Sequence, residues 1–250
     1  MSPSPRRSDF RTKRLFIEEG VAEGVAIALD RARSNYLLNV LRLKEEDEVL
    51  VFDGRNGEWR ARLEPQGRKD AVLVPVLQER EQTEPGDLHL IYAPLKLARA
   101  EYMIQKAVEL GVSRLQPVIT DHTQARAPKS EKVRAYTIEA AEQCGVLSLP
   151  DLAPELSLDA ALDAMSDDRQ LIFCDELHES DGPLALLRGV ASARVSVLIG
   201  PEGGFSATER QRLCARHNTT AIPLGPRILR ADTAAVAALT LVQAALGDWQ

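Results

Sequence analysis

A chain of 250 residues with 44% hydrophobic and 27% charged residues is too apolar for disorder, and long enough to bury a core without disulfide or metal staples. Its length allows one large domain or two small ones. A formal net charge of −6 argues against a protein that captures nucleic acid by bulk attraction. The cysteines (Cys144, Cys174, Cys214) and histidines (His89, His122, His178, His217) show neither metal-ligand nor disulfide spacing, so a metal-free protein of the reducing cytoplasm is expected. The longest nearly apolar stretch, residues 233–246, falls short of the ~20 residues that span a bilayer. The N-terminus lacks the apolar core of a secretory signal, so no membrane partner is expected.

The chain opens on a basic tail. Residues 1–14 carry Arg6, Arg7, Arg11, Lys13 and Arg14 against Asp9 alone. Such a segment is either a solvated, disordered terminus, placed here at residues 1–11, or an arm that reaches for phosphates. Residues 34–43 have apolar positions at helical spacing. Residues 47–52 and 58–63 are β-prone runs separated by Asp53-Gly54 and Asn56-Gly57, a hairpin signal. Residues 71–77 form a further strand, whose Pro75 suggests an edge or an end. The polar stretch 78–87 reads as a linker between a β-rich domain at 12–80 and a second domain at 86–250.

From residue 88 strands and helices alternate, which argues for an α/β domain on a mostly parallel sheet. Strands are expected at 88–93, 114–119, 170–174, 193–199 and 220–224. Helices are expected at 98–110, stopped by Gly111, and at 131–143. The last helix, 233–246, is apolar nearly all round, as a helix buried on several sides should be.

Two loops stand out. The apolar strand ending at Ile199 runs into Gly200, Pro201, Glu202, Gly203 and Gly204, and Ser206 with Glu209 forms a capping box that starts a helix. Glycines at such a point let a backbone approach a ligand and present its N–H groups. The spacing matches neither a dinucleotide fingerprint nor a P-loop, and Glu202 repels phosphate, so a neutral or zwitterionic ligand fits better. About twenty residues on, Leu224 and Gly225 end another strand, followed by Arg227, Ile228, Leu229 and Arg230, with Asp232 or Thr233 as the cap of the last helix. Loops leaving the carboxyl ends of parallel strands line ligand crevices.

These two segments, 199–206 and 224–234, resemble the RsmE family of SPOUT methyltransferases. Further similarity lies in Arg14-Leu15-Phe16-Ile17, in residues 36–43, in residues 104–111 and in Glu139-Ala140-Ala141-Glu142-Gln143-Cys144. The resemblance implies a small PUA-like β-barrel followed by a trefoil-knotted α/β domain. It also implies a homodimer that uses S-adenosylmethionine to methylate N3 of a uridine in small-subunit (16S) ribosomal RNA, within an assembled or assembling subunit. It assigns the cofactor to Ile199, Gly200, Pro201, Glu202, Gly203, Gly204, Leu224, Gly225, Ile228, Leu229 and Thr233. The adenine would lie against Ile199, Leu224, Ile228 and Leu229.

For the chemistry the resemblance implies Arg230, a permanent charge able to fork onto a carbonyl beside N3. Asp232 either accepts the N3 proton or holds Arg230 and caps the helix. RNA contacts are expected from Arg11, Lys13 and Arg14, from Arg42 and Arg55, and from Arg126, Lys129, Lys132 and Arg134. Three positions depart from the family pattern: Asp232 replaces a usual Glu, residues 146–148 lack a usual Arg, and Asn35 stands where His is common. The last helix suits a dimer interface or an intrachain core. Rival readings are a SPOUT enzyme for another RNA and a silent RNA-binding assembly factor of the same fold.

Overall fold

The computed structural model describes residues 11–67, 69–175 and 182–249. Of the tail expected at 1–11, all but Arg11 lies outside the described residues. The contacts divide the chain into two compact units. One runs to Glu84 and includes Ala141–Ser148; the other comprises Pro85–Ala140 and the chain from Leu149.

In the first unit, β1 (Arg14–Phe16), β3 (Glu48–Phe52), β4 (Glu58–Pro65), β5 (Ala71–Arg80) and β2 (Ile27–Ala28) form a five-stranded sheet in that order. The pair β1–β3 is parallel and the other pairs are antiparallel. Alternating residues such as Val49, Val51, Ala61, Leu63 and Leu73 supply its core. The helix expected from Ser34 begins earlier, as α1 (Arg31–Asn35), because the Asp30 carboxylate caps it by accepting from the Arg33 N–H at 2.8 Å. It continues as a π-helical segment, Tyr36–Val40. The β3–β4 turn is held by Asp53, which accepts from the N–H groups of Arg55, Asn56 and Val21. Pro75 does not sit on an edge strand: β5 lies between β4 and β2. It is tolerated because β2 pairs only with Val72 and Leu73, short of Pro75, and the β4–β5 register shifts nearby.

The second unit contains β6 (Leu88–Tyr92), α2 (Leu97–Glu109), β7 (Arg114–Ile119) and α3 (Ser130–Cys144), whose last residues cluster with the first unit. There follow β8 (Asp151–Leu152), β9 (Leu156–Ser157), α4 (Leu158–Asp163), β10 (Gln170–Cys174) and α5 (Pro183–Arg188). The chain then runs through β11 (Val195–Ile199), α6 (Ala207–Ala215), β12 (Thr219–Ile222) and α7 (Ala231–Leu246). The sheet order is β12-β10-β11-β6-β7-β8, with β9 also pairing β7, and every pair is parallel.

Both faces of this sheet are covered, which is why its strands are apolar runs rather than alternations. Val195, Val197 and Ile199 point into one core with α2, α5 and α7. Leu198 points into the other, with Leu158 and Leu162 of α4 and Leu213 of α6. The burial of α7 inside this chain's own core accounts for its apolar character, and its Gln243 donates to the Leu110 carbonyl at 2.6 Å where α2 ends. Gly111 follows that end at φ +77°, a left-handed conformation suited to glycine.

The helix after β11 lies on the opposite face from the helices that follow its neighbours β10 and β6. The carboxyl end of β11 is therefore a topological switch point, where open α/β sheets form their ligand crevice.

Candidate functional site

The loop at 200–206 leaves that switch point. The loop at 223–230 leaves β12, two strands away and so about 10 Å across the sheet. The first is tied down from several sides. The capping box is complete: the Ser206 hydroxyl accepts from the Glu209 N–H at 3.2 Å, and the Glu209 carboxylate accepts from the Ser206 N–H at 2.9 Å. The other Glu209 oxygen accepts from the Asp121 N–H at 2.9 Å, and the Ser206 hydroxyl donates to Asp121 at 2.6 Å. His122, next in the loop after β7, places Nδ1 at 3.1 Å from the Gly203 carbonyl and 3.2 Å from that of Gly204. Carbonyls only accept, so Nδ1 carries the proton. Glu202 pairs with Arg99 in the first turn of α2, which cancels the negative charge that the loop would show a ligand.

Local sterics explain the glycines. A Cβ on Gly200 would lie 2.8 Å from the Phe205 ring, which is packed edge-on against Phe173. Gly204 has φ +67° and Gly225 has φ +96°, both left-handed.

The second loop is bare. Ile228 is 96% exposed, an unusual state for an isoleucine in a folded chain. Arg227 and Arg230 are also exposed, and Leu229 is half-buried. Among the described residues no side-chain bond or ion pair anchors 223–230.

Residues 82–243 match the RNA methyltransferase domain family, and residues 29–76 match the RNA methyltransferase PUA domain. The chain belongs to the RsmE family of RNA methyltransferases. Ribosomal RNA small subunit methyltransferase E of Rickettsia conorii is 29% identical over 92% of this chain and 94% of its own. A crystal structure of ribosomal RNA small subunit methyltransferase E from Neisseria gonorrhoeae, bound to S-adenosyl methionine, superposes with a TM-score of 0.82 at 28% identity, over 93% of this chain and 97% of that one. A candidate methyltransferase of Legionella pneumophila, in complex with the cofactor SAM, gives 0.79 at 31% identity, over 94% and 98%. The SPOUT-type α/β fold with a PUA-like domain is thereby the fold of this RsmE-family member.

The structure corrects several expectations within that frame. Ile199 is 2% exposed with its side chain in the core, so that side chain does not line the crevice. Neither Asp232 nor Thr233 caps α7: the N-cap is Arg230, without a side-chain bond, and Asp232 lies in the first turn, accepting from the Thr233 N–H at 3.1 Å. No ion pair joins Asp232 to Arg230 among the described residues. Arg14 is not an RNA-facing residue. Its Nε donates to Glu58 at 2.8 Å with both side chains 2% exposed, and Arg80 donates to the same carboxylate. Lys13 lies over the Tyr36 ring, 5.2 Å from its centroid. Arg11, Arg42, Arg55, Arg126 and Arg134 are exposed.

Arg99, Asp121 and His122 escaped the sequence reading although they brace the glycine loop. The signal was available, since Asp121 and His122 follow directly on the carboxyl end of β7, where the same loop rule applies.

Proposed function

We propose that this chain is an S-adenosylmethionine-dependent methyltransferase acting on N3 of a uridine in small-subunit ribosomal RNA. The observation that carries the reading is the pair of loops at the switch point, one braced and glycine-lined, the other presenting Ile228 and Arg230 to solvent. These residues fit the cofactor. Glycines 203, 204 and 225 expose backbone without side chains, Ile228 and Leu229 offer an apolar surface for adenine, and pairing with Arg99 cancels the Glu202 charge. The Neisseria and Legionella relatives hold the same cofactor in the same fold.

When bound, S-adenosylmethionine supplies an electrophilic methyl group on a sulfonium sulfur. The N3–CH3 bond forms as the S–CH3 bond breaks, and N3 must shed its proton before or during attack. Arg230 stabilises the developing uracil anion at the carbonyl oxygen flanking N3. Asp232, two residues on, accepts the proton or passes it to water. The braced loop contributes by holding donor and acceptor in line. Arg11, Arg42, Arg55, Arg126 and Arg134 provide local basic contacts for folded RNA in a chain of net charge −6. A homodimer and a cytoplasmic location belong to the same proposal.

The test incubates the protein with labelled S-adenosylmethionine and, in turn, small subunits, naked ribosomal RNA and transfer RNA from cells lacking the endogenous activity. Label recovered as N3-methyluridine from ribosomal RNA supports the reading. Label only in transfer RNA moves the enzyme to another substrate. Absence of both label and cofactor binding leaves an RNA-binding protein of this fold.

A further inference from the structure

The end of the parallel sheet away from the glycine loops contains a cavity of about 370 Å³ on the face covered by α4 and α6. Its polar wall is built by strand register. Ser196 of β11 pairs with His89 of β6, and His89 pairs with Arg114 of β7, so a hydroxyl, an imidazole and a guanidinium form one row across three strands. In a sheet covered on both faces these positions should be apolar, as their neighbours Leu88, Leu90, Val195 and Val197 are. Ser196 is 1% exposed and its hydroxyl has no hydrogen-bond partner, a costly state for a buried polar group.

Arg169 and Arg194 complete a wall that carries three guanidiniums and no carboxylate, facing apolar groups of Ile91, Leu156 and Met165. Carboxylates fix those guanidiniums from outside the wall. Arg114 gives one nitrogen to Asp151 at 2.5 Å, and Arg194 binds Asp87 at 2.8 Å and Asp168 at 2.7 Å. Arg169 is consumed by Asp87 and by the carbonyls of Asp87 and Val195. A guanidinium has five N–H donors, so Arg114 and Arg194 keep donors beyond those bonds. No hydrogen bond links Ser196 to His89, which rules out an activated nucleophile and leaves a binding role.

We propose that this cavity binds a small oxyanion carried on a flat apolar body, of the size and chemistry of a nucleoside monophosphate. Arg114 and Arg194 take the anion, the Ser196 hydroxyl takes a polar edge of the body, and the apolar wall covers its face. The volume lies within the 300–1,000 Å³ usual for ligand pockets. The site is separate from the glycine loops, so it does not depend on the methyl-transfer reading.

The test titrates the full chain, saturated with S-adenosylmethionine to block the other crevice, with adenosine 5′-monophosphate, adenosine and inorganic phosphate by calorimetry. The nucleotide binds saturably at one site, and adenosine or phosphate alone binds at least tenfold more weakly. Arg114→Gln and Ser196→Ala each weaken nucleotide binding at least fivefold and leave the affinity for S-adenosylmethionine unchanged. Ser196→Ala removes the unpaired hydroxyl and adds no atom to the buried site, so its thermal midpoint does not fall. Absence of saturable nucleotide binding, equal binding of adenosine or of phosphate, or nucleotide binding indifferent to both substitutions overturns the proposal.

Discussion

The two loops at the carboxyl ends of β11 and β12 are built on opposite principles. The 200–206 loop is braced by Arg99, Asp121, His122 and Glu209, drawn from the first turn of α2, from the loop after β7 and from its own helix. The 223–230 loop has no such braces among the described residues and holds an isoleucine 96% exposed. Polar ties fix a loop before a ligand arrives, whereas an untied loop is ordered by what it binds and charges that ordering to affinity. Under the proposed function, the first loop is a preformed part of the cofactor seat and the second is ordered as cofactor and uracil arrive.

Arg230→Ala gives the largest expected effect, because it removes the charge proposed to meet the developing anion. Methyl transfer should fall about 10²–10³-fold while cofactor affinity stays within about threefold. Single-turnover rates set beside calorimetry check this, and equal losses in both would make Arg230 part of the cofactor seat instead.

Acid stability tests the contrast from outside both loops. Burial, and secondarily the Arg169 charge, hold the His89 imidazole down to about 4 from its ordinary 6.5. The folded state favours neutral His89, so its contribution is complete above pH 6.5 and is lost as pH falls from 6.5 through about 4. Discounted for partial exposure, the loss is about 2 kcal/mol. Unfolding of His89→Gln at pH 7 and pH 4.5 should show that portion gone; an unchanged acid slope would place the sensitivity elsewhere.

Gly204→Ala forces a side chain into φ +67°, a conformation that costs roughly 1–2 kcal/mol. Because the loop is braced, it cannot relax, and cofactor affinity should drop about tenfold. An affinity that stays put would mean the braces yield.

His122→Ala has the smallest effect. It removes one brace and should raise the KM for cofactor about threefold to fivefold, an effect on the scale of about 1 kcal/mol for a lost hydrogen bond, with kcat unchanged. His122→Asn, which retains a donor near the same place, should recover most of it. A fall in kcat without a change in KM would make His122 part of the chemistry instead.

Much of this was legible from local rules. The capping box at Ser206 and Glu209, the stop at Gly111 and the strand–helix alternation after residue 88 each depend on a few neighbouring residues, and each is present. Arg14 shows where such rules fail. Within a basic tail it reads as a surface charge, and only Glu58, 44 residues away, makes it a buried structural group. His122 likewise gains its meaning from carbonyls 81 and 82 residues on.

The sequence by itself determined which segments could become strands, helices and glycine turns, because those choices are made by propensity and by hydrogen bonds spanning three or four residues. Tertiary structure alone decided that β11 inserts between β10 and β6 and sends its helix to the opposite face. That choice depends on pairings between strands far apart in the chain, whose backbone hydrogen bonds carry no side-chain identity.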